Sequence, residues 1–222
     1  MNLALFDLDG TLIPQDSDHA FGEFVVTLGW ADAQEFRRRN DAFYADYLAG
    51  RLDMDAYVDF ATGPWRDRTP AELDQATARF LDLVVRPMLT PAALALVLGH
   101  QQAGDIVAIV TATNEFVTRP IAALFGVDEL IATELTRNAA GRVTGAIAGV
   151  PAYREGKVAR LQDWLGARGL ALSDFERSIF YSDSTNDLPL LERVSNPVAT
   201  NPGPALERIA QERGWPVLKL FA

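Results

Sequence analysis

Asp7 and Asp9 stand two positions apart at the end of an apolar run, in the stretch "LALFDLDGTL" over residues 3–12. Burying a carboxylate without a partner is costly, so two of them at the tip of a hydrophobic strand call for a chemical reason. A carboxylate can attack phosphorus and form an acyl phosphate, and Asp7 is placed for that task. A second acid must then protonate the leaving alkoxide and later activate water. Asp9 points the same way as Asp7 if the chain stays extended, and Gly10 permits a sharp turn directly after it. "DLDG" also fits part of a calcium loop, but that loop needs flanking helices and a bidentate acid at its twelfth position. Counted from Asp7, that position is Asp18, and the segment before Asp7 is strand-like rather than helical.

Three more stretches carry polar groups of the right kind. "VTATN" brings Thr111 to the end of a second apolar run, where a hydroxyl and backbone N–H groups can meet an anion or simply cap a helix. "YREGKVARL" places Lys157 early in a helix. The chain has 18 Arg and only two Lys, so this lysine is not explained by a general choice of basic residue. A compact ammonium differs from a planar guanidinium in a tight site, and it suits a group that neutralises Asp7 and a phosphoryl group. "YSDSTNDLPLL" sets Asp183 and Asp187 four apart with Asn186 between them. In isolation it reads equally as a turn capping a helix. Several converging carboxylates would repel one another without a cation, and hard oxygen ligands of this kind suit Mg²⁺. His19 is the one histidine near these stretches, which argues against zinc.

The elements that must position these groups follow from the pattern. The runs at 3–6, 105–110 and 177–181 read as buried strands, each ending at polar residues. Strands alternating with helices predict a parallel α/β sheet, whose ligands bind at the carboxyl ends of the strands. Further strands are expected near 197–200 and 216–220, and "ELTRNAAGRVTGAI" over 134–147 reads as a hairpin turning at "NAAG". Residues 14–87 are too long for a simple crossover. They carry helix-period patterns, 14 Asp+Glu against 8 Arg, and 11 of the 21 aromatics. That composition predicts a helical insert with its own small core. The expected division is a sheet core over 1–13 and 88–222 and a helical unit over 14–87.

Composition bounds the partners. The chain has 222 residues with 49% hydrophobic and 23% charged, enough for a sizeable core. A net charge of −10 argues against nucleic acid or an anionic membrane as partner. There is no cysteine, so disulfides and thiolate metal sites are excluded. No basic segment precedes the first strand-like run, and no apolar stretch reaches the roughly 20 residues that span a bilayer. The expectation is a cytoplasmic monomer or homodimer acting on a small molecule.

Asp-x-Asp-Gly-Thr after an apolar strand resembles the first motif of the haloacid dehalogenase (HAD) superfamily of phosphatases. The later motifs follow in order over nearly the whole chain. The insert resembles the C1-type cap of the phosphoserine phosphatase-like branch, subfamily IB. The resemblance implies a Rossmann-like core with a helical cap after the first strand, and a Mg²⁺-dependent phosphomonoesterase working through an aspartyl phosphate. It implies Asp7 as nucleophile, Asp9 as acid and base, and Lys157 as the charge-neutralising group. Thr111, Ala112 and Asn186 become phosphate-binding positions. Asp7, the Asp9 carbonyl and Asp183 become metal ligands, with Asp187 also in the metal's surroundings. The second Asp of the first motif favours phosphate-ester hydrolysis over dehalogenation or ATP-driven transport.

The same resemblance guides the substrate. An acidic residue just after the first motif meets the substrate amine in phosphoserine phosphatase-like enzymes, and Asp16 occupies that position. Their cap arginine for the substrate carboxylate matches Ala61 here, with the acidic Asp59 nearby. An amino-alcohol phosphate without a carboxylate, such as histidinol phosphate, is favoured, with Asp16 and Asp59 expected to face it. Asp16, Asp18 and His19 read equally as solvated helix-start residues. Phosphoserine hydrolysis, a phosphomutase or phosphotransferase, and a catalytically silent binding protein are the alternatives.

Overall fold

A computed structural model describes residues 1–221. Six parallel strands form one sheet: β1 (Asn2–Phe6), β2 (Ile106–Asn114), β3 (Glu129–Thr133), β6 (Arg177–Ser182), β7 (Asn196–Thr200) and β8 (Val217–Leu218). Their order is β3-β2-β1-β6-β7-β8. Period-two alternation explains how β1 joins both layers. Leu3 and Leu5 pack with Val158, Leu161, Phe180 and Leu206 on one face, while Ala4 and Phe6 pack with Ile109, Ile121 and Tyr181 on the other. A sheet covered on both faces favours the unbroken apolar runs seen in the sequence. The chain passes from β1 outward to β2 and β3, then returns to the far side of β1 as β6. The strand order therefore reverses between β1 and β6, and that is where open α/β sheets bind ligands.

Between β1 and β2 the chain is helical: α1 (Ser17–Thr27), α2 (Ala33–Leu48), α3 (Met54–Thr62), α4 (Pro70–Phe80), short helical turns over Leu81–Met88, and α5 (Pro91–Gln102). Part of the acidic excess has a local cause. Asp16, Asp32 and Asp53 each accept a backbone N–H at the start of α1, α2 and α3, and Thr69 with Glu72 forms a capping box on α4. The aromatics do not close a separate core. Trp65 stacks on Phe116 at 4.2 Å, and Phe21 lies edge-on to both Phe80 and Phe116. Phe116 belongs to α6 (Glu115–Leu124), which follows β2. The insert's apolar side chains thus run continuously into the layer over β1 and β2.

The expected hairpin is present as β4 (Leu135–Arg137) and β5 (Val143–Ile147), and β5 packs on α3. The sequence reading passed over β3, the edge strand next to that hairpin. On the other face lie α7 (Glu155–Gly166), α8 (Leu188–Leu191) and α9 (Pro204–Arg213). Among the described residues no single helix is long and apolar enough to cross a membrane.

Candidate active site

Asp7 directly follows β1, its backbone N–H still held by the carbonyl of Tyr181 on the neighbouring strand at 2.9 Å. Its side chain is buried and meets Lys157, whose ammonium donates to Asp7 Oδ1 at 2.7 Å and to Asp187 Oδ2 at 2.8 Å. Lys157 sits in the first turn of α7. That turn is pressed so close to the Pro151 carbonyl that a Cβ on Gly156 would overlap it. Burial works against the ammonium, but Asp187 and Asp7 outweigh it and hold Lys157 above the ordinary lysine range. Ser182, the last residue of β6, donates its hydroxyl to the same Asp187 oxygen at 2.7 Å. Asp187 Oδ2 thereby receives hydrogen bonds from both Lys157 and Ser182.

Burial raises Asp7 to about 7; Lys157 pulls it down and Asp187 pushes it up. Asp183, just past β6, is raised well above the usual carboxylate range by burial and then by Asp7 and Asp187. The Thr11 hydroxyl lies 3.4 Å from Asp7 Oδ2 and 3.3 Å from Asp183 Oδ1, so the two carboxylates flank one point. The Gly10 backbone, at φ 77°, closes against the Asp183 carboxylate; a Cβ there would collide with it. Asn201 pins this turn by donating to the carbonyls of Gly10 and Thr11 at 3.0 and 3.1 Å.

Asp9 is turned the other way and held by three groups. The Ser17 backbone N–H donates to Oδ1 at 2.7 Å, and the Thr113 and Thr111 hydroxyls lie 2.9 and 3.5 Å from Oδ2. Burial, with the charge of Asp16, lifts Asp9 to about 7. A carboxyl poised there can carry a proton at neutral pH and give it up.

The donors fit a hard divalent cation. Among the described residues no group of three or more His, Asp, Glu or Cys side chains converges as a ready-made cage. Two carboxylates, Asp7 and Asp183, face one point beside the backbone of the first motif. Mg²⁺ characteristically takes one or two carboxylates and completes its shell with water and phosphate oxygens. Lys157 supplies one positive charge against Asp7, Asp183 and Asp187, so the cluster is short of cationic charge.

Thr111, Ala112 and Thr113 lie near the end of β2, which flanks β1 on the side away from β6. Asn186 lies beyond β6 and donates its amide N–H to the carbonyl of Tyr47 on α2 at 3.0 Å. The polar centre opens into a cleft lined by Asp9, Gly10, Asp16, Tyr44, Tyr47 and Asp183, and a smaller pocket lies beside it under the helical insert. Asp16, Asp18 and His19 of the α1 start, Phe43, Tyr44 and Tyr47 of α2, Met54 and Tyr57 of α3, and Ala112 and Thr113 line it. Among the described residues no Arg or Lys lines this pocket.

Two substrate-side expectations change. Asp59 does not face the pocket: it pairs with Arg66 against the β4–β5 hairpin, with 68% of its side chain exposed. Ala61 does not line the pocket either; α3 presents Met54 and Tyr57 instead. Asp16 lines it but caps α1, accepting the His19 N–H at 2.8 Å. Asp18 is not a solvated helix-start residue but is buried. Sequence reasoning also passed over Thr113, Asn114 and Tyr57. Thr113 carried a usable signal, since it is two residues from Thr111 and so shares its strand face.

Residues 4–192 match the family model of haloacid dehalogenase-like hydrolases. A histidinol-phosphatase of Neisseria meningitidis serogroup C is 45% identical over 217 residues, which is 98% of either chain. An inhibition of morphological differentiation protein of Streptomyces azureus is 33% identical over 97% of this chain and 77% of its own. Among solved structures, a protein with unknown function from Bordetella pertussis Tohama I is 51% identical, covers 99% of both chains and superposes with a TM-score of 0.93. A substrate-bound phosphoserine phosphatase complex shares the fold at 18% identity, with 97% of this chain and 91% of that one covered and a TM-score of 0.68. Matched across 4–192 and along nearly its full length by such relatives, the chain belongs to the haloacid dehalogenase-like hydrolase family.

Proposed function

We propose that the protein is a Mg²⁺-dependent phosphomonoesterase that works through an aspartyl phosphate on Asp7 and favours an amine-bearing substrate such as histidinol phosphate. The observation that carries the chemistry is Lys157, bridging Asp7 and Asp187 at 2.7 and 2.8 Å at the strand-order reversal. Asp7 and Asp183, with the Asp9 carbonyl implied by the family resemblance, would hold the metal. When bound, Mg²⁺ supplies charge neutralisation that lets an anionic ester approach a carboxylate.

In this reading an Asp7 oxygen attacks phosphorus and the P–O bond to the alcohol breaks. Asp9 gives its proton to the leaving alkoxide. The alcohol departs, and Asp9, now ionised, takes a proton from water as that water attacks the phosphorus. The P–O bond to Asp7 then breaks, phosphate leaves, and the starting carboxylate and protonated Asp9 return. Lys157 stays in contact with Asp7 and balances the charge that gathers there. Thr111, the N–H of Ala112 and Asn186 are the candidates to hold the remaining phosphoryl oxygens. Asn186 reaches the α2 carbonyl and so ties that contact to the position of the insert.

Support for the substrate comes from the pocket: aromatic walls, acidic groups and, among the described residues, no Arg or Lys to receive a substrate carboxylate. The relative named a histidinol-phosphatase agrees in kind. Hydrolysis of histidinol phosphate and of phosphoserine, with Mg²⁺ and after its removal by EDTA, tests the proposal. Turnover that disappears without Mg²⁺ and a higher kcat/KM for histidinol phosphate are expected; metal-independent turnover or faster phosphoserine hydrolysis overturns it.

Asp9→Asn separates the acid from the nucleophile. Asn keeps the Ser17 contact through its carbonyl oxygen and leaves the Asp9 backbone carbonyl in place. It cannot donate the proton that an alkoxide needs. Turnover of an alkyl phosphate should fall by about 10²- to 10⁴-fold. A p-nitrophenyl ester, whose leaving group needs no proton, should lose far less in its first step. Burst kinetics on that ester checks this: a retained burst with a slow steady state is the expected trace, and a burst slowed as much as turnover of the alkyl ester counts against the role.

A further inference from the structure

Asn201 directly follows β7 and lies between the first-motif turn and the segment after β8. Its backbone sits at φ 46°, in the left-handed region that a residue with a Cβ enters at a cost and that Asn tolerates better than most. Its amide nitrogen donates to the carbonyls of Gly10 and Thr11 at 3.0 and 3.1 Å. Its amide oxygen accepts the backbone N–H groups of Leu220 and Phe221 at 2.6 and 3.3 Å. A side-chain amide has two N–H bonds and two lone pairs, so its whole capacity is used. Only one orientation fits. Turned over, the NH₂ group would face two backbone N–H groups and the oxygen would face two carbonyls. The segment after β8 thus sets which end of the amide meets the turn. That segment is itself tied back, because the Asn201 N–H donates to the Leu218 carbonyl at 2.7 Å. Two residues on, the Gly203 N–H reaches the Asp183 carbonyl at 3.4 Å. Residues 201–203 therefore touch both the first-motif turn and Asp183. Asn201, Gly203 and Phe221 also border the cleft that holds Asp9, Gly10 and Asp183.

We propose that Asn201 is a positioning residue for the divalent-cation site, oriented by the segment after β8 and acting through the carbonyls of Gly10 and Thr11. The inference deepens the Mg²⁺-dependent reading above and rests on it. Asp9, Gly10 and Thr11 present three successive carbonyls. Asn201 claims the second and third, which leaves the first for the ligand role that the family resemblance implies. A backbone carbonyl cannot be re-aimed by a rotamer change, so its direction depends on the bonds of its own turn. Gly10, at φ 77°, brings no Cβ to stiffen that turn, and the Asn201 amide supplies the restraint. Hydrogen bonds of this kind, one layer behind the ligands, orient the ligating atoms before a metal arrives.

Mg²⁺ binding to the substrate-free protein, measured by titration calorimetry below the unfolding temperature of each variant, tests the assignment without turnover. Asn201→Gly keeps the left-handed backbone at no steric cost and removes only the amide. Its affinity for Mg²⁺ should fall by about 10- to 100-fold. Leu220→Pro deletes the shorter of the two N–H contacts and leaves Asn201 in place. A smaller loss in the same direction is expected, and this variant carries the test if Asn201→Gly does not fold. Ser195→Ala is the control. Ser195 accepts the Ser178 N–H at 2.9 Å and donates to the Ser178 carbonyl at 3.1 Å, at the other end of β6, so its loss weakens the sheet without reaching the turn. In turnover, Asn201→Gly should recover most of its kcat as Mg²⁺ is raised, with KM for the ester little changed; a merely structural loss is not rescued in that way. Wild-type Mg²⁺ affinity in Asn201→Gly, or an equal fall in Ser195→Ala, overturns the assignment, and an unchanged Leu220→Pro overturns the part given to the segment after β8. A wild type that binds no Mg²⁺ overturns it together with the metal reading. Weaker Mg²⁺ binding by Asn201→Gly in a protein that hydrolyses no phosphate ester supports this role while defeating the phosphatase reading.

Discussion

Asp7→Asn should leave a folded protein whose turnover is at most about 10⁻⁴ of wild type, the scale lost when a covalent nucleophile is removed. The amide nitrogen is not nucleophilic, and the amide oxygen carries too little charge to attack phosphorus. Stability should move in the opposite direction. Burial raises Asp7, and Asp187, Asp9 and Asp183 all lie near enough to repel it. Replacing that charge by a neutral group of the same shape relieves the repulsion. Lys157 is not orphaned, because it keeps Asp187 at 2.8 Å. The midpoint of thermal unfolding should therefore hold or rise, while no phosphoenzyme forms in rapid-quench experiments with labelled ester. A variant that turns over at more than a few per cent of the wild-type rate, or that unfolds markedly earlier, is incompatible with Asp7 as a strained nucleophile. Such a trade of stability for activity is common where a site gathers like charges.

The proposed site was legible because its side chains sit where the strand pattern breaks. Asp7, Thr111 and Asp183 each interrupt or follow an apolar run, and parallel strands deliver their carboxyl ends to one edge. Lys157 stood out against a background of arginine. The less legible parts depend on long-range packing. Asp18 looked like any acidic residue at a helix start, yet it is buried beside Asn114, 96 positions away, whose amide donates to it. Asp59 lies near Ala61, the expected position of a substrate-binding residue, but on the side of α3 that meets the hairpin, where Arg66 claims it. A one-dimensional match cannot say which side of a helix faces the ligand. The strand β3 escaped because "ELIAT" is short, begins with a half-buried Glu, and adjoins a hairpin with a stronger turn signal. The separate core expected of the insert failed for a related reason. Aromatic content reports that side chains will pack, but not that Phe116 of α6 will lie among them.

Lys157→Met should be damaged in both stability and activity, and comparison with Asp7→Asn tells the two effects apart. Lys157 is 1% exposed, and Asp7 and Asp187 share its single ammonium. Methionine fills most of the same volume, so the loss is one of charge rather than packing. Removing one member of a buried ionic group typically costs about 3–5 kcal/mol, because the partners remain desolvated. Urea unfolding of the metal-free protein should show a loss of that order, reduced to the extent that Asp7 or Asp187 takes up a proton. Lys157→Arg should not restore activity: a planar guanidinium cannot occupy an enclosed point designed around one nitrogen at 2.7 and 2.8 Å from two acids. The double variant Asp7→Asn/Lys157→Met decides whether the pair acts as a unit. With Asp7 neutral, only Asp187 is left without its counter-ion, and Ser182 still donates to it at 2.7 Å. The double variant should then be more stable than Lys157→Met alone, with a coupling of about 1–3 kcal/mol in the cycle. Strict additivity would mean that the contact between Asp7 and Lys157 carries no energy in solution. The lysine would then have to act on the reaction without holding the nucleophile.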